Sequence, residues 1–287
     1  KIGTQNFKTN LKLQIVYLIL CGKKMYKDYK KDFDFLLEKV KNQENFAFSR
    51  FSDGEFFIMN NQKVVLAPGY FITGERVGHN IYTKEEQKEF IPEQHGFYRE
   101  KLIESFQHVG TNYYKGICTR SDVGQEAFEW QLKLHGEQGQ ENLTFANLLI
   151  NSNYSRHIEE LVPHYKDREI IYVVNHLADL SGLPFNVKKD FRIGSNCMVD
   201  NYSTVDLVKE YIAKNNIKDH IVLCSAASLS NFIIHECFKE CSDNTFIDTG
   251  SALNPYQNLE GWKFTRGYLT SYWMGSRSEY GEQVDQW

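Results

Sequence analysis

Long hydrophobic runs are missing from this 287-residue chain. Its most apolar stretch, Leu11 to Cys21, falls short of the ~20 residues that span a bilayer. Lys8 precedes it and Lys12 stands at its start, Lys23 and Lys24 follow it, and no small-residue cleavage site follows. A packed or interfacial helix is expected there, not a signal peptide. An excess of positive charge is missing too. Lys and Arg number 33 against 37 Asp and Glu, a formal net charge of −4. That excludes bulk nucleic-acid binding and leaves room for a local basic pocket. Paired cysteines are also missing. The six, Cys21, Cys118, Cys197, Cys224, Cys237 and Cys241, are scattered and form no CxxC pair. A zinc cluster is disfavoured, and a reduced, cytoplasmic protein is expected, with peripheral membrane association left open. Neither a sharp linker nor an internal repeat is found.

What remains has the composition of a soluble globular protein, 41% hydrophobic and 24% charged, with aromatics high at 14%. Amphipathic spacing over 26–42 predicts a helix carrying Phe33, Leu36, Leu37 and Val40. A strand follows at Phe46–Phe51. Lys63–Ala67 reads as a strand stopped by Pro68-Gly69, and 83–108 as a helix interrupted at Pro92. Tyr113–Cys118 is a strand, 124–135 a helix, and Thr144–Leu161 a further helix. From there strands and helices alternate: strands at Glu169–Val174, Asp190–Ile193, Ile221–Cys224 and Thr245–Ile247, and helices at Thr204–Lys214, with Ser203 as N-cap, and Leu229–Phe238. This pattern predicts an α/β fold with a Rossmann-like, mostly parallel sheet flanked by helices. The expected organisation is an N-terminal helical extension over 1–42, the Rossmann-like domain over 43–256, and a tail over 257–287 packed on it. The aromatics from Tyr256 to Trp287 are read mainly as packing, with sugar stacking left to one or two.

The strand ending at Phe51 stops abruptly in Ser52-Asp53-Gly54-Glu55. In an extended chain, residues i and i+2 share a face, so Asp53 and Glu55 are expected to point the same way. Two hard oxygen ligands suit Mg²⁺ or Mn²⁺, which take one or two carboxylates plus substrate phosphates. Arg50 is placed to meet a phosphate or orient a carboxylate. A competing reading stands ahead on spacing alone: Asp-Gly is a common turn, and Glu55 suits a helix N-terminus.

In parallel α/β sheets, ligands bind at the carboxyl ends of the strands. Three downstream strand ends carry polar groups. Asn175-His176 follows one. Ser225-Ala226-Ala227-Ser228 follows another and runs into a helix whose amides favour a phosphate, although without glycine it is no P-loop. There, helix capping by Ser228 is an equal alternative. Asp248-Thr249-Gly250-Ser251 follows the third, with groups suited to a ribose or phosphate. Three such ends together point to a nucleotide site.

The stretch Arg50-Phe51-Ser52-Asp53-Gly54-Glu55 resembles the Arg-Phe-Gly-Asp-Gly-Glu signature of the GT-D-type glycosyltransferases, named for their Asp-X-Glu motif. Thr144–Asn147 running on to Asn151–Tyr154, Cys224–Ser230, and Phe246–Pro255 resemble the same family. The sequence departs from it at Ser52, where Gly is expected, at Asn254, where Asp is expected, and at Ala226-Ala227, where a glycine is expected; these bear on the donor, not on the acidic pair. The resemblance implies a hexosyl- or pentosyltransferase. It would use a nucleotide-diphosphate sugar donor, a UDP-sugar, with a divalent metal, Mn²⁺ or Mg²⁺. The acceptor would be a hydroxyl of a glycan or glycoconjugate. Asp53 and Glu55 would hold the metal. Arg50, Ser225 and Ser228 would meet phosphates, and Asn175, Asp248, Gly250 and Ser251 would shape the nucleoside pocket. For the acceptor's base, His176, Asp179 and Asp248 are not separated. A nucleotide-dependent phosphotransferase or hydrolase and a non-catalytic nucleotide- or glycan-binding module are the rival readings.

Overall fold

The computed structural model describes residues 25–66, 86–276 and Trp287. The stretch Leu11–Cys21, the Pro68-Gly69 turn and Tyr280 lie outside the described residues. The strands in chain order are β1 (Ala47–Phe51), β2 (Val64–Leu66), β3 (Lys88–Phe90), β4 (Tyr113–Ile117), β5 (Leu143–Phe145), β6 (Ile170–Asn175), β7 (Val187–Ile193), β8 (Ile221–Cys224) and β9 (Thr245–Asp248). Seven of them form one sheet in the order β5-β4-β1-β9-β8-β6-β7, with every pairing parallel. β2 and β3 form a separate antiparallel ribbon.

The strand sequences account for this. Ile170–Val174 and Ile221–Cys224 are apolar throughout and buried throughout, as strands covered on both faces must be. The edge strand β7 instead carries Lys188, Lys189, Asp190 and Arg192, charges that discourage further pairing. Within β1, alternation sorts the side chains: Ala47 and Phe51 enter one core layer and Phe48 the other.

The helices labelled here are α1 (Tyr29–Lys41), α2 (Asp53–Met59), α3 (Pro92–Gln107), α4 (Gln125–His135), α5 (Thr204–Lys214), α6 (Ser228–Glu240) and α7 (Gly267–Met274). Leu102 and Phe106 of α3, Val205 and Val208 of α5, and Leu229 and Ile233 of α6 pack in one layer. Phe33, Leu36 and Val40 of α1, with Tyr154, Tyr165 and Trp262, pack in the other. The fold is thus an α/β Rossmann-like parallel sheet with helices on both faces, as expected. Among the described residues, no helix is long and apolar enough to cross a membrane.

Several elements differ from expectation. The helix expected over Thr144–Leu161 begins instead as β5, which pairs with β4. Asn151 then takes a left-handed φ of 50°, and only short helical turns follow. Pro92 starts α3 and does not interrupt it, because a proline drives the preceding residue, Ile91, out of the helical region. Lys88–Phe90 is accordingly extended. Ser203 occupies an N-cap position but makes no capping bond. The described cysteines are free, and four of them are buried.

Candidate functional site

A cleft of about 490 Å³ runs along the carboxyl edge of the sheet. Every strand of the sheet sends residues into it. Asp53 follows β1, Cys118 follows β4, and Asn147 follows β5. Asn175 ends β6, and Gly194 follows β7. Ser225 follows β8, and Gly250 follows β9.

At the centre is the turn after β1. Ser52 caps α2, whose first residue is Asp53. A capping box forms: Ser52 N–H donates to Glu55 Oε2 (3.1 Å). The other Glu55 oxygen accepts from Ser228 Oγ (2.5 Å), the first residue of α6. Glu55 is buried and Asp53 exposed. The chain is helical here, not extended, so residues i and i+2 sit ~200° apart around the axis, not on one face. Asp53 and Glu55 therefore do not share the face expected of an extended chain. Asp53 Oδ1 accepts from Gly54 N–H (2.9 Å) and Ser52 Oγ (3.2 Å), and among the described residues no bond engages Oδ2. Ser228, the expected cap of α6, does not cap it. Ala227 is the N-cap, at φ 45°, and the Ser228 hydroxyl is committed to Glu55.

Arg50 lies under this turn. Its Nε donates to Ala146 O (2.6 Å), and among the described residues its terminal nitrogens have no partner. Gly250 sits at φ +51°, and a Cβ there would run into Arg50 Nη1. Asp248 is buried beside them and accepts from Gly250 N–H (2.9 Å). Burial pushes its carboxyl up to about 7, while the Arg50 charge pulls it down.

Of the residues singled out in the sequence, Arg50, Asp53, Glu55, Asn175, Ser225, Gly250 and Ser251 line the cleft, and Ser228 and Asp248 stand behind it. Asn175 Oδ1 accepts from Leu177 N–H (2.9 Å). Ser225 Oγ joins a hydroxyl chain from Tyr172 (2.8 Å) to Thr249 (2.9 Å). Among the proposed bases, His176 and Asp179 do not line the cleft either, and Asp179 instead accepts from Ser181 N–H (2.9 Å) in a turn.

Sequence reasoning missed Glu86, Lys88, Gln257 and Arg266, all of which line the cleft. Lys88 Nζ lies 3.2 Å from where a Cβ on Gly54 would sit. Among the described residues it has no ion pair or hydrogen bond. Gln257 is fully buried; its Nε2 donates to Tyr172 Oη (2.6 Å), and among the described residues its Oε1 has no partner. No local motif marks these residues, because the ribbon and the tail carry them in from elsewhere in the chain.

The donor set fits a divalent ion held by one carboxylate directly. Asp53 offers an open oxygen, while Glu55 already accepts one bond at each oxygen and can reach an ion through water. Among the described residues, one group of three metal-capable side chains exists: Glu104, His235 and Glu236, with ligand atoms within 4.8 Å. It lies between α3 and α6, outside the cleft, and Lys101 already pairs with Glu104 at 2.7 Å.

The class that fold and site define is a parallel α/β protein with a polar, mixed-charge cleft at its strand ends. No protein-family model and no curated protein matches the chain. Its structural neighbours include two solved chains of a domain of unknown function numbered 1792. One, described by that name, is 14% identical over 88% of each chain, with a TM-score of 0.45. The other, described as having a distinct glycosyltransferase fold, is 13% identical over 88% of each chain, with a TM-score of 0.47.

Proposed function

We propose that the chain is a glycosyltransferase that moves a hexosyl or pentosyl unit from a UDP-sugar to a hydroxyl of a glycan or glycoconjugate. One observation carries the reading: an aspartate oxygen unbonded among the described residues, the Arg50 guanidinium and the Lys88 ammonium meet at one turn over the strand ends. Cations beside a metal-capable carboxylate suit a diphosphate, whose oxygens take both.

The chemistry of transfer is mainly that of the leaving group. A nucleoside diphosphate departs with its bonding electron pair, and its growing negative charge must be stabilised. Asp53 and Glu55 would hold Mn²⁺ or Mg²⁺, which when bound would supply positive charge to the diphosphate. Arg50 and Lys88 add fixed positive charge from the protein. Glu55 also positions: it ties the start of α2 to the start of α6, so both helix N-termini sit at the cleft. Asn175, Ser225, Gly250 and Ser251 line the nucleoside end. Gln257 Oε1, without a partner among the described residues, offers an acceptor to the imide N–H of a uracil ring.

Asp53→Asn tests this. Asp53 is exposed, so the fold should survive. Release of UDP from UDP-sugars should fall ~100-fold or more, since several kcal/mol of charge stabilisation is lost. Full metal-dependent transfer by the variant would remove the mechanism.

A further inference from the structure

We propose that Glu86 is the general base that takes the proton from the acceptor hydroxyl; this rests on the glycosyltransferase reading above. A single displacement at the anomeric carbon needs such a base within hydrogen-bond reach of the attacking oxygen. Four described carboxylates line the cleft: Asp53, Glu55, Glu86 and Asp122. Asp53 and Glu55 belong to the diphosphate end. Asp122 is spent on structure: its Oδ2 accepts from Thr119 N–H (2.7 Å) and Thr119 Oγ1 (2.9 Å), and its Oδ1 accepts from Asn147 Nδ2 (3.1 Å).

Glu86 is different. One oxygen, Oε1, is held by Arg266 Nη2 (3.1 Å) and Thr265 Oγ1 (3.2 Å). Arg266 is itself fixed by Nε donating to Ser251 Oγ (3.2 Å). The other oxygen, Oε2, is buried and has no partner among the described residues, on a side chain only 12% exposed. A buried carboxylate oxygen without a donor costs stability, so it marks a place where a donor arrives from outside. An acceptor hydroxyl is such a donor.

The position agrees. Glu86 is two residues before Lys88, so their Cα atoms are at most ~7 Å apart. Lys88 reaches the Gly54 turn, while Glu86 pairs with Arg266, which is held in turn by Ser251. The segment Glu86–Lys88 therefore brings a cation to the Gly54 turn and a carboxylate into the same cleft.

The step balances. The acceptor oxygen forms its bond to the anomeric carbon as its proton passes to Glu86 Oε2. The bond from that carbon to the phosphate oxygen breaks, and its electron pair leaves with the nucleoside diphosphate. The product has inverted configuration.

The test uses Glu86→Gln and Glu86→Asp in the full chain, with a UDP-sugar panel as donors and 4-nitrophenyl glycosides as acceptors. UDP release, UDP affinity by calorimetry, and product anomer by NMR are read. Glu86→Gln should lower kcat ~10²–10⁴-fold with UDP affinity within twofold and Tm unchanged, and Glu86→Asp should recover part of the rate. Retained kcat in Glu86→Gln, loss of UDP affinity in step with rate, or a retained anomeric configuration overturns the role of Glu86 alone. Absence of transfer by the unsubstituted protein across the panel overturns the glycosyltransferase reading and this inference with it.

Discussion

Arg50 stands in a central strand of a parallel sheet, where a charge is costly to bury without partners. Ala146 O and the nearby Asp248 carboxylate supply them, and Gly250 leaves the space the guanidinium fills. Asp248 in turn is raised from 3.8 to about 7, chiefly by burial. A carboxyl raised in the folded state takes up a proton on folding. Its contribution to stability is complete below 3.8 and is lost as pH rises through about 7. Asp248→Asn carries no such proton. Its stability relative to the unsubstituted protein should therefore rise between pH 5 and pH 8, on the order of 2 kcal/mol. Urea melts at the two pH values check this; an unchanged difference would mean that Asp248 is not the group responsible.

At the scale of elements, the sequence showed Glu55 suited to a helix N-terminus, and the structure makes it half of a capping box on α2. Ser52 and Glu55 have the three-residue spacing that places each on the other's backbone N–H. What no window could show is that Glu55 also takes a hydroxyl from Ser228, 173 positions away. β5 was misread for a related reason. Its short apolar run fits a helix face as well as a strand, and only pairing with β4 settles the matter. That pairing is tight at Gly116. A Cβ there would lie 2.7 Å from Phe145 O and 2.8 Å from Ala146 Cα, backbone atoms with little freedom to move. Gly116→Ala should cost ~1–3 kcal/mol, read as a lowered urea midpoint. It should also slacken Arg50, whose Nε is held by Ala146 O. A midpoint equal to that of the unsubstituted protein would show that β5 shifts freely.

For the molecule as a whole, the cleft depends on loops from all seven strands of the sheet, so a ligand there should stabilise the entire sheet, not one lobe. UDP with Mn²⁺ should raise the melting temperature in a single transition. The gain should approach ~2.7 kcal/mol at a hundredfold excess over Kd, and a chelator should reduce it. Neither ATP nor inorganic phosphate should match it. Equal shifts with all three would leave a general anion pocket in place of a nucleotide-sugar site.

The amino-acid order alone determined the alternation of strands and helices, the apolar cores of β6 and β8, and the acidic turn after β1. Each of these follows from side-chain periodicity and local backbone preference within a few residues. Tertiary structure decided the rest. It set Asp53 and Glu55 apart on a helix, committed Ser228 to Glu55, buried Asp248 beside Arg50, and carried Glu86 and Lys88 to the mouth of the cleft on a ribbon. Those outcomes depend on contacts between residues distant in the chain, which strand order creates and local pattern does not encode.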